Sequence, residues 1–551
     1  MSVVLSEHLP LLATAPEGIQ KLRGLILELA VRGKLVPQDP NDEPASELLK
    51  RIAKERARLE AAGVCKKSKA QAVRTEEQPF EAPHGWAWVR LTHFGEFRSG
   101  KTPSTNRSEY WDGTIPWVSP KDMKSLVVSK TEDYVSDLAI SDGLSLIPAS
   151  SVLVVVRSGI LRRTVPVAIN SQPCTVNQDL KALCLVLPDL AQYVQLLIRG
   201  FERLILETLT KVGTTVESVK FDEFSQQPFP LPPLPEQHRI IAKVDELIAL
   251  CDRLEAEQSD AAAAHERLVA TLLGTLTEST DAADLAANWQ RLADHFDTLF
   301  TTEASLDALK QTILQLAVMG KLVPQDPNDA PASETFRGLE RLSLAPEALM
   351  QPPDQWAVCQ YRSLTSLITS GSRGWKEFYS DTGAVFIRTQ NIKTDTLVLD
   401  DVAFVDLPKR AEGMRSQVLK DDILITITGA NVTKAARIEM DLPEAYVSQH
   451  IALTRPTWSE MARWLHLCFV SRGSARGILE KLAYGDKPGL SLTNIRDLAL
   501  PIPPLAEQHR IVAKVDELLA LVERLKAELA ESRTRQAQLA DTLIETALAA
   551  A

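Results

Sequence analysis

Residues Leu231–Glu257, LPPLPEQHRIIAKVDELIALCDRLEAE, return at Ile502–Glu528 as IPPLAEQHRIVAKVDELLALVERLKAE, 271 positions on and without a gap. A second block, Leu22–Ser46 (LRGLILELAVRGKLVPQDPNDEPAS), returns at Leu309–Ser333 (LKQTILQLAVMGKLVPQDPNDAPAS) with an offset of 287. Two blocks that recur separately make the chain a tandem duplication. Their order adds a second constraint. The first proline–helix block is followed by the LxxxxLxxAxxGKL block, whereas the follow-on of the second copy lies at the N-terminus. The halves match only if the N-terminus is read as continuing the C-terminus. This predicts neighbouring chain ends and a circular, pseudo-two-fold arrangement.

The repeats divide the chain into five stretches. Residues 1–79 hold a conserved helix and a basic linker that complete the second repeat. Residues 80–232 and 351–503 are mixed and rich in short β runs. Residues 233–350 are a central helical region, and 504–551 a C-terminal long helix. The two mixed regions resemble each other weakly. Each opens on a Trp after proline, PHGWAWVRL at Pro83 and PPDQWAVCQ at Pro352. Each then carries a Gly-bearing loop (SGKTPS, TSGSRG) and a β run (TIPWVSPKDMK, GAVFIRTQNIK). A buried-type strand follows (SVLVVVRSG, DDILITITGA), and both regions end on a Gly-led turn into a helix-like stretch. The expected fold class is α+β: two mixed α/β domains separated by long antiparallel coiled-coil helices.

Helices are predicted at 16–32, 236–276, 305–319 and 507–549. Ile511, Val515, Leu518, Val522, Leu525 and Leu529 fall at alternating spacings of four and three, a heptad seam. Ile240, Val244, Leu247, Cys251 and Leu254 trace the same line in the first copy. Pro232-Pro233 and Pro503-Pro504 stop upstream extension of each helix. Glu236 and Glu507 sit in the first turn, where the helix dipole favours a negative charge. A helix of about 40 residues spans about 60 Å and needs a partner seam, for which its own repeat, running antiparallel, is the obvious choice.

The rest of the composition mainly excludes. The 551 residues suffice for several cores, with 45% hydrophobic and 24% charged content, ordinary for a soluble globular protein. No apolar run reaches the length of a membrane span, and MSVVLSEHLPLLATAPEG does not read as a signal peptide. Cys65, Cys174, Cys184, Cys251, Cys359 and Cys468 form no CxxC pair and lie near no His at ligand spacing, so a reducing cytoplasm without disulfides or zinc is expected. The chain has no GxxxxGK[ST], no GxGxxG before a βαβ unit, and no Asn-Pro-Pro-aromatic tetrapeptide. PQDPNDEPASELLK at Pro37 could pass for a nuclease carboxylate cluster, but its repeat replaces Glu43 by Ala330, and its Pro, Asn and Asp content reads as a turn leading into a capped helix. His238 and His509 recur in the first helical turns without ligand-type neighbours. No catalytic or metal-binding residue is expected.

A net charge of -11 argues against unselective coating of nucleic acid but not against local basic reading surfaces. Candidate DNA contacts lie in the loops of the mixed regions: Arg98, Lys101, Thr102, Lys121, Lys124, Arg157, Arg162 and Arg163 in the first, and Arg373, Lys376, Arg388, Gln390, Asn391, Lys393, Asn431 and Lys434 in the second. Arg, Lys, Asn and Gln suit bidentate contact with base edges, and Lys and Thr suit phosphates. The Lys50–Arg74 stretch, with nine basic residues against two Glu, is either a phosphate contact or a solvated linker. Three readings stay open at this point: a DNA reader lending specificity to separate enzymes, a helical scaffold binding only proteins, and an enzyme lacking any motif found above.

The doubled PPLxEQxxIxxKxDxLxA block, with the doubled LxxxxLxxAxxGKL block, resembles the DNA-specificity subunits of Type I restriction–modification enzymes. The resemblance covers nearly the whole chain and points to the branch with permuted repeats. It implies that each mixed region is a target-recognition domain reading one half of a bipartite, asymmetric double-stranded DNA site. It implies that the long helices pair antiparallel, set the spacing and dock two methyltransferase subunits that bind S-adenosylmethionine and flip and methylate adenine. It further implies two motor-nuclease (restriction) subunits that use ATP and Mg2+, and no cofactor on this chain.

Overall fold

The computed structural model describes residues 11–549 except 68–70, 214–215, 337–341, 343–351, 372–373, 394–395, 409–413 and 484–487, and describes Lys376 and Met414 by backbone alone. The chain divides into two compact units. Unit 1 takes residues 1–260 and 533–551, and unit 2 takes 261–532.

In unit 1, helix α1 (Gly18–Val31) is apolar on most sides and buries Ile19, Leu22, Leu25, Ile26, Leu29, Ala30 and Val31. Helix α2 (Ala45–Ala61) lies inside the basic stretch. Only Ala45, Leu48 and Ile52 are buried there, so one stripe packs and the charged remainder stays wet. The mixed domain opens with β1 (Ala87–Arg90) and β2 (Gly95–Ser99). It continues through β3 (Ile115–Val118), β4 (Val127–Val128), β5 (Asp133–Val135), β6 (Val152–Val155), β7 (Val167–Asn170), β8 (Thr175–Val176) and β9 (Leu180–Leu185). Helix α3 (Ala191–Gly200) and strand β10 (Pro228–Leu231) complete it before helix α4 (Leu234–Glu278). One sheet has the order β2-β9-β6-β7-β4 and a second β5-β3-β8. The entry strand β1 pairs antiparallel with the exit strand β10, Ala87 opposite Leu231. In this two-stranded ribbon Pro228 and Pro230 interrupt no central ladder. Helix α3 lies close on α1: a Cβ on Gly200 would come within 2.4 Å of Val31.

Unit 2 repeats the plan. Helix α5 (Glu303–Val318) matches α1. The second mixed domain runs from β11 (Ala357–Gln360) and β12 (Thr365–Ser370) through β13 (Tyr379–Ser380), β14 (Ala384–Ile387), β15 (Ala403–Val405), β16 (Ile423–Thr426), β17 (Ala435–Arg437), β18 (Ala445–Val447) and β19 (Ile451–Pro456). Helix α6 (Ala462–Val470), strand β20 (Ala499–Ile502) and helix α7 (Leu505–Ala549) follow. Its sheets have the orders β12-β19-β16-β17 and β13-β15-β14-β18, and β11 pairs with β20, Ala357 opposite Ile502. Small contacts recur too. The Tyr193 hydroxyl donates to the carbonyl of Pro230 at 3.2 Å, and the Trp464 indole to that of Pro501 at 2.9 Å.

Helices α4 and α7 each have 45 residues, about 67 Å of helix. Both begin directly after their proline pairs. The Gln237 side-chain amide donates to the Pro232 carbonyl at 3.0 Å, and Gln508 to Pro503 at 2.9 Å, fixing each helix to the strand before it. The core of unit 1 holds Ile240, Val244, Leu247 and Cys251 from the front of α4 with Ala540 and Ala547 from the tail of α7. The core of unit 2 holds Ile511, Val515 and Val522 from the front of α7 with Val269, Leu273 and Leu276 from the tail of α4. Helix α1 ties to both: Arg23 pairs with Asp252 and Glu255 at 2.6 and 2.7 Å, and Lys21 with Asp541 at 2.6 Å.

The two conserved blocks meet in a collar at the base of each mixed domain. Gly33 and Gly320 take left-handed backbone (φ 70° and 71°), and a Cβ there would strike Pro83 and Trp86, or Pro353 and Trp356, at about 3 Å. The Trp86 indole donates to Glu236 at 2.9 Å and the Trp356 indole to Glu507 at 2.9 Å. Arg239 holds Asp42 at 2.7 Å, and Arg510 holds Asp329 at 2.7 Å. The two glutamates are 1% and 0% exposed, so their role exceeds that of a wet dipole partner. Burial lifts both carboxyl groups above the ordinary value despite the indole bond. His238 and His509, two residues on, are exposed.

Candidate nucleic-acid interface

Within each mixed domain the same backbone frame carries the variable loops. Strand β3 pairs parallel with β8, and β14 with β18. The next amides, Asn177 and Ser448, donate to the carbonyls of Val118 and Ile387 at 2.9 Å each. Gly100 and Gly371 lie against this strand end: a Cβ would sit about 2 Å from the carbonyl oxygen of Val176 or Val447. After β3 and β14 comes a one-turn 3-10 helix, Pro120–Asp122 and Thr389–Asn391. It is closed by its own last side chain. Asp122 accepts from the Ser119 amide at 2.8 Å, and Asn391 from the Arg388 amide at 2.9 Å.

In the first domain the candidate contacts separate into held and free groups. Arg98 donates to the carbonyls of Leu146 and Val64. Lys121 is gripped by Glu132 and Asp133, both at 2.9 Å, which raises its pKa. Arg162 pairs with Glu217 at 2.6 Å, and the Thr102 hydroxyl donates to Gln178. Lys101, Lys124, Arg157 and Arg163 are exposed. Lys101 follows the Gly100 seal, and its amide donates to Val176 at 3.0 Å.

In the second domain Arg373 lies outside the described residues, as does the side chain of Lys376. Asn391 is 2% exposed, and its side-chain amide is used on the carbonyls of Val398 and Asp401 at 3.0 and 2.9 Å. It builds the turn. Arg388 and Gln390 converge on Asp401, the latter at 3.0 Å. Asn431 donates to the Thr389 carbonyl at 3.0 Å, joining the β16–β17 turn to the 3-10 turn. Lys434 is half-buried in the same turn, and Lys393 is exposed. Gln178 and Gln449, at one equivalent strand end, were not singled out by the sequence. The only sign there is a shared Gln in VNQDL and VSQHI.

The helix-seam candidates Ile240, Val244, Leu247, Cys251, Ile511, Val515 and Val522 are buried, while Leu254, Leu518 and Leu525 pack half-buried beside them. All six cysteines are free thiols. Among the described residues no His, Cys, Asp or Glu group could hold a metal, and no helix is long and apolar enough to cross a membrane.

The family described as the Type I restriction modification DNA specificity domain matches residues 83–263 and 376–531, thus nearly all of the first mixed domain, the second from residue 376 on, and the front of both long helices. The EcoAI specificity subunit of Escherichia coli is 34% identical, over 96% of this chain and 94% of its own. The EcoEI specificity subunit of the same organism is 32% identical over the same shares. A solved chain described under complex assembly and conformational transition of the type I R-M system superposes with a TM-score of 0.50 over 85% of this chain and 99% of its own. At 17% identity that likeness concerns the fold. Repeated collars, diverged loops and these matches together place the chain in the family of Type I restriction–modification DNA-specificity subunits.

Proposed function

We propose that the mixed domains, residues 80–232 and 351–503, are target-recognition domains, each reading one half of a bipartite, asymmetric site in double-stranded DNA. The chain is a non-catalytic DNA sequence-specificity subunit of a Type I restriction–modification system. Its partners are DNA and the other subunits of that complex. On our reading, residues 233–350 and 504–551, with 1–79, form the helical part that fixes the spacing of the half-sites and docks two methyltransferase subunits. Those subunits would bind S-adenosylmethionine and methylate adenine, and two restriction subunits would use ATP and Mg2+, all in the cytoplasm.

The observation that carries this reading is the pairing of one scaffold with two sets of loops. Collar, entry–exit ribbon and strand-end glycine recur between the units with closely similar distances. The loops they present differ: Lys121 becomes Gln390, Asn177 becomes Ser448 and Asp179 becomes His450. A protein-only scaffold would have no need to keep the frame and vary what it displays.

Methylome sequencing of cells with and without this chain tests the reading. The expected result is one adenine-methylated bipartite motif that disappears with the chain. Its absence in cells that also express the methyltransferase subunit would refute the proposal.

A further inference from the structure

We infer that Gln178 and Gln449 are one base-reading position occurring twice, each contacting a base edge in its own half-site. The inference rests on the proposed function and adds residues to it. The backbone on either side of the two glutamines is the same. The preceding amides (Asn177, Ser448) donate to Val118 and Ile387, and the following carbonyls (Asp179, His450) accept from Val156 and Ile427 at 2.8 and 2.9 Å. Gly100 and Gly371 seal the strand end against any other side chain. A residue bracketed by two such bonds, one on each side, has a fixed Cα. Its side chain therefore leaves the frame at one defined place in both domains.

The neighbouring positions change chemistry between the domains, but this one stays an amide. A Gln side chain offers a donor and an acceptor together, the pair that matches N7 and N6 of adenine in the major groove. Each glutamine spends only one of these two groups on a neighbouring side chain. Gln178 is exposed, accepts from Thr102, and makes no hydrogen bond through Nε2 among the described residues. Gln449 Nε2 lies 3.1 Å from the His450 ring, and its Oε1 is buried with no partner among the described residues. Exposed lysines flank the frame, Lys101 and Lys124 in the first domain and Lys393 in the second, at places suited to phosphates.

The test uses the full chain co-purified with its methyltransferase subunits and duplexes carrying the bipartite motif found by methylome sequencing. Each base pair of both halves is replaced in turn, and binding is measured for wild type, Gln178→Ala, Gln449→Ala and Lys124→Ala. Gln178→Ala should lose about 5- to 100-fold of discrimination at one or two adjacent base pairs of one half, and Gln449→Ala the same in the other half. Lys124→Ala should weaken all duplexes alike. Thermal melts should be unchanged, since neither amide closes a core. Unaltered base preference in both variants, with wild type still reading a bipartite site, overturns this inference alone. A change by both variants in the same half also overturns it. A wild-type complex with no bipartite preference overturns the proposed function, and this inference with it.

Discussion

A tryptophan indole pointing at a buried glutamate is an unusual fastening, and it occurs in both collars. Only one carboxylate oxygen of Glu236 and Glu507 has a protein donor; Oε1 of each is buried without one among the described residues. Removing the indole donor leaves the carboxylate with neither oxygen satisfied. Trp356→Phe should cost about 1–3 kcal/mol in a urea melt. Trp86→Phe should cost less, because Trp86 is half-buried where Trp356 is 2% exposed. The same glutamates give a pH test. Burial holds their pKa above the usual 4.5. A raised carboxyl contributes stability that is present in full below about pH 4.5 and is lost as pH rises through the folded value. Glu236→Gln with Glu507→Gln keeps an acceptor for each indole and removes the titration. The melting temperature of the double variant should rise relative to wild type as pH increases from 4 to 8; parallel curves would contradict this. From the sequence these residues looked like first-turn acids facing a dipole. Their depth depends on Gly33 and Trp86, far away in the chain, which local spacing does not report. The candidate contacts show the same limit. Arg98, Lys121 and Arg162 are basic by sequence, but carbonyls and carboxylates from distant segments already occupy them.

At the scale of elements, periodicity and proline were readable because both act locally. The heptad lines run through the cores of both units, and the helices start where the proline pairs require. Strand pairing inside the mixed domains was not readable, since β2 pairs with β9, Gly95 opposite Leu185 and Ser99 opposite Lys181, far apart in the chain, and short runs carry little period. Helix α2 starts after the PQDPNDEP turn as expected, though without a side-chain cap, but its extent was hidden by its charge: three buried side chains in 17 residues are a thin stripe. The long helices give a mechanical prediction. One inserted helical turn adds about 5.4 Å, against a rise of about 3.4 Å per base pair. Inserting one turn into the exposed middle of α4, near Ala261–Ala264, should lengthen the unspecified spacer of the DNA motif by about one to two base pairs. Both half-sites should stay the same, as read by methylome sequencing. An unchanged spacer would refute the measuring role of this helix.

For the molecule as a whole, modularity is the main expectation. Exchanging residues 80–232 for the matching domain of another family member keeps the β1–β10 ribbon as the joint. It should change one half of the methylated motif and leave the other intact. Loss of both halves in a folded complex would argue against independent readers. The division of the chain also has a consequence in time. Unit 2 is one continuous stretch, whereas unit 1 needs residues 533–549, with Ala540 and Ala547 in its core and Asp541 bound to Lys21. Roughly 270 residues must therefore be synthesised after Asp260 before the unit that begins first can be finished, a wait on the order of 15–55 s at about 5–20 residues per second. During that interval α1 exposes the apolar side that α7 later covers, so the later unit can close before the earlier one. A chain ending at Ser532 should stay in this unfinished state. Limited proteolysis should then cut within residues 11–61 while unit 2 keeps its protection, and an identical digest of the full-length and shortened chains would disprove it. Residues 533–549 are thus the latch on the unit left open roughly 270 residues earlier, and a ribosome that stops before them releases a protein whose older unit is its less folded one.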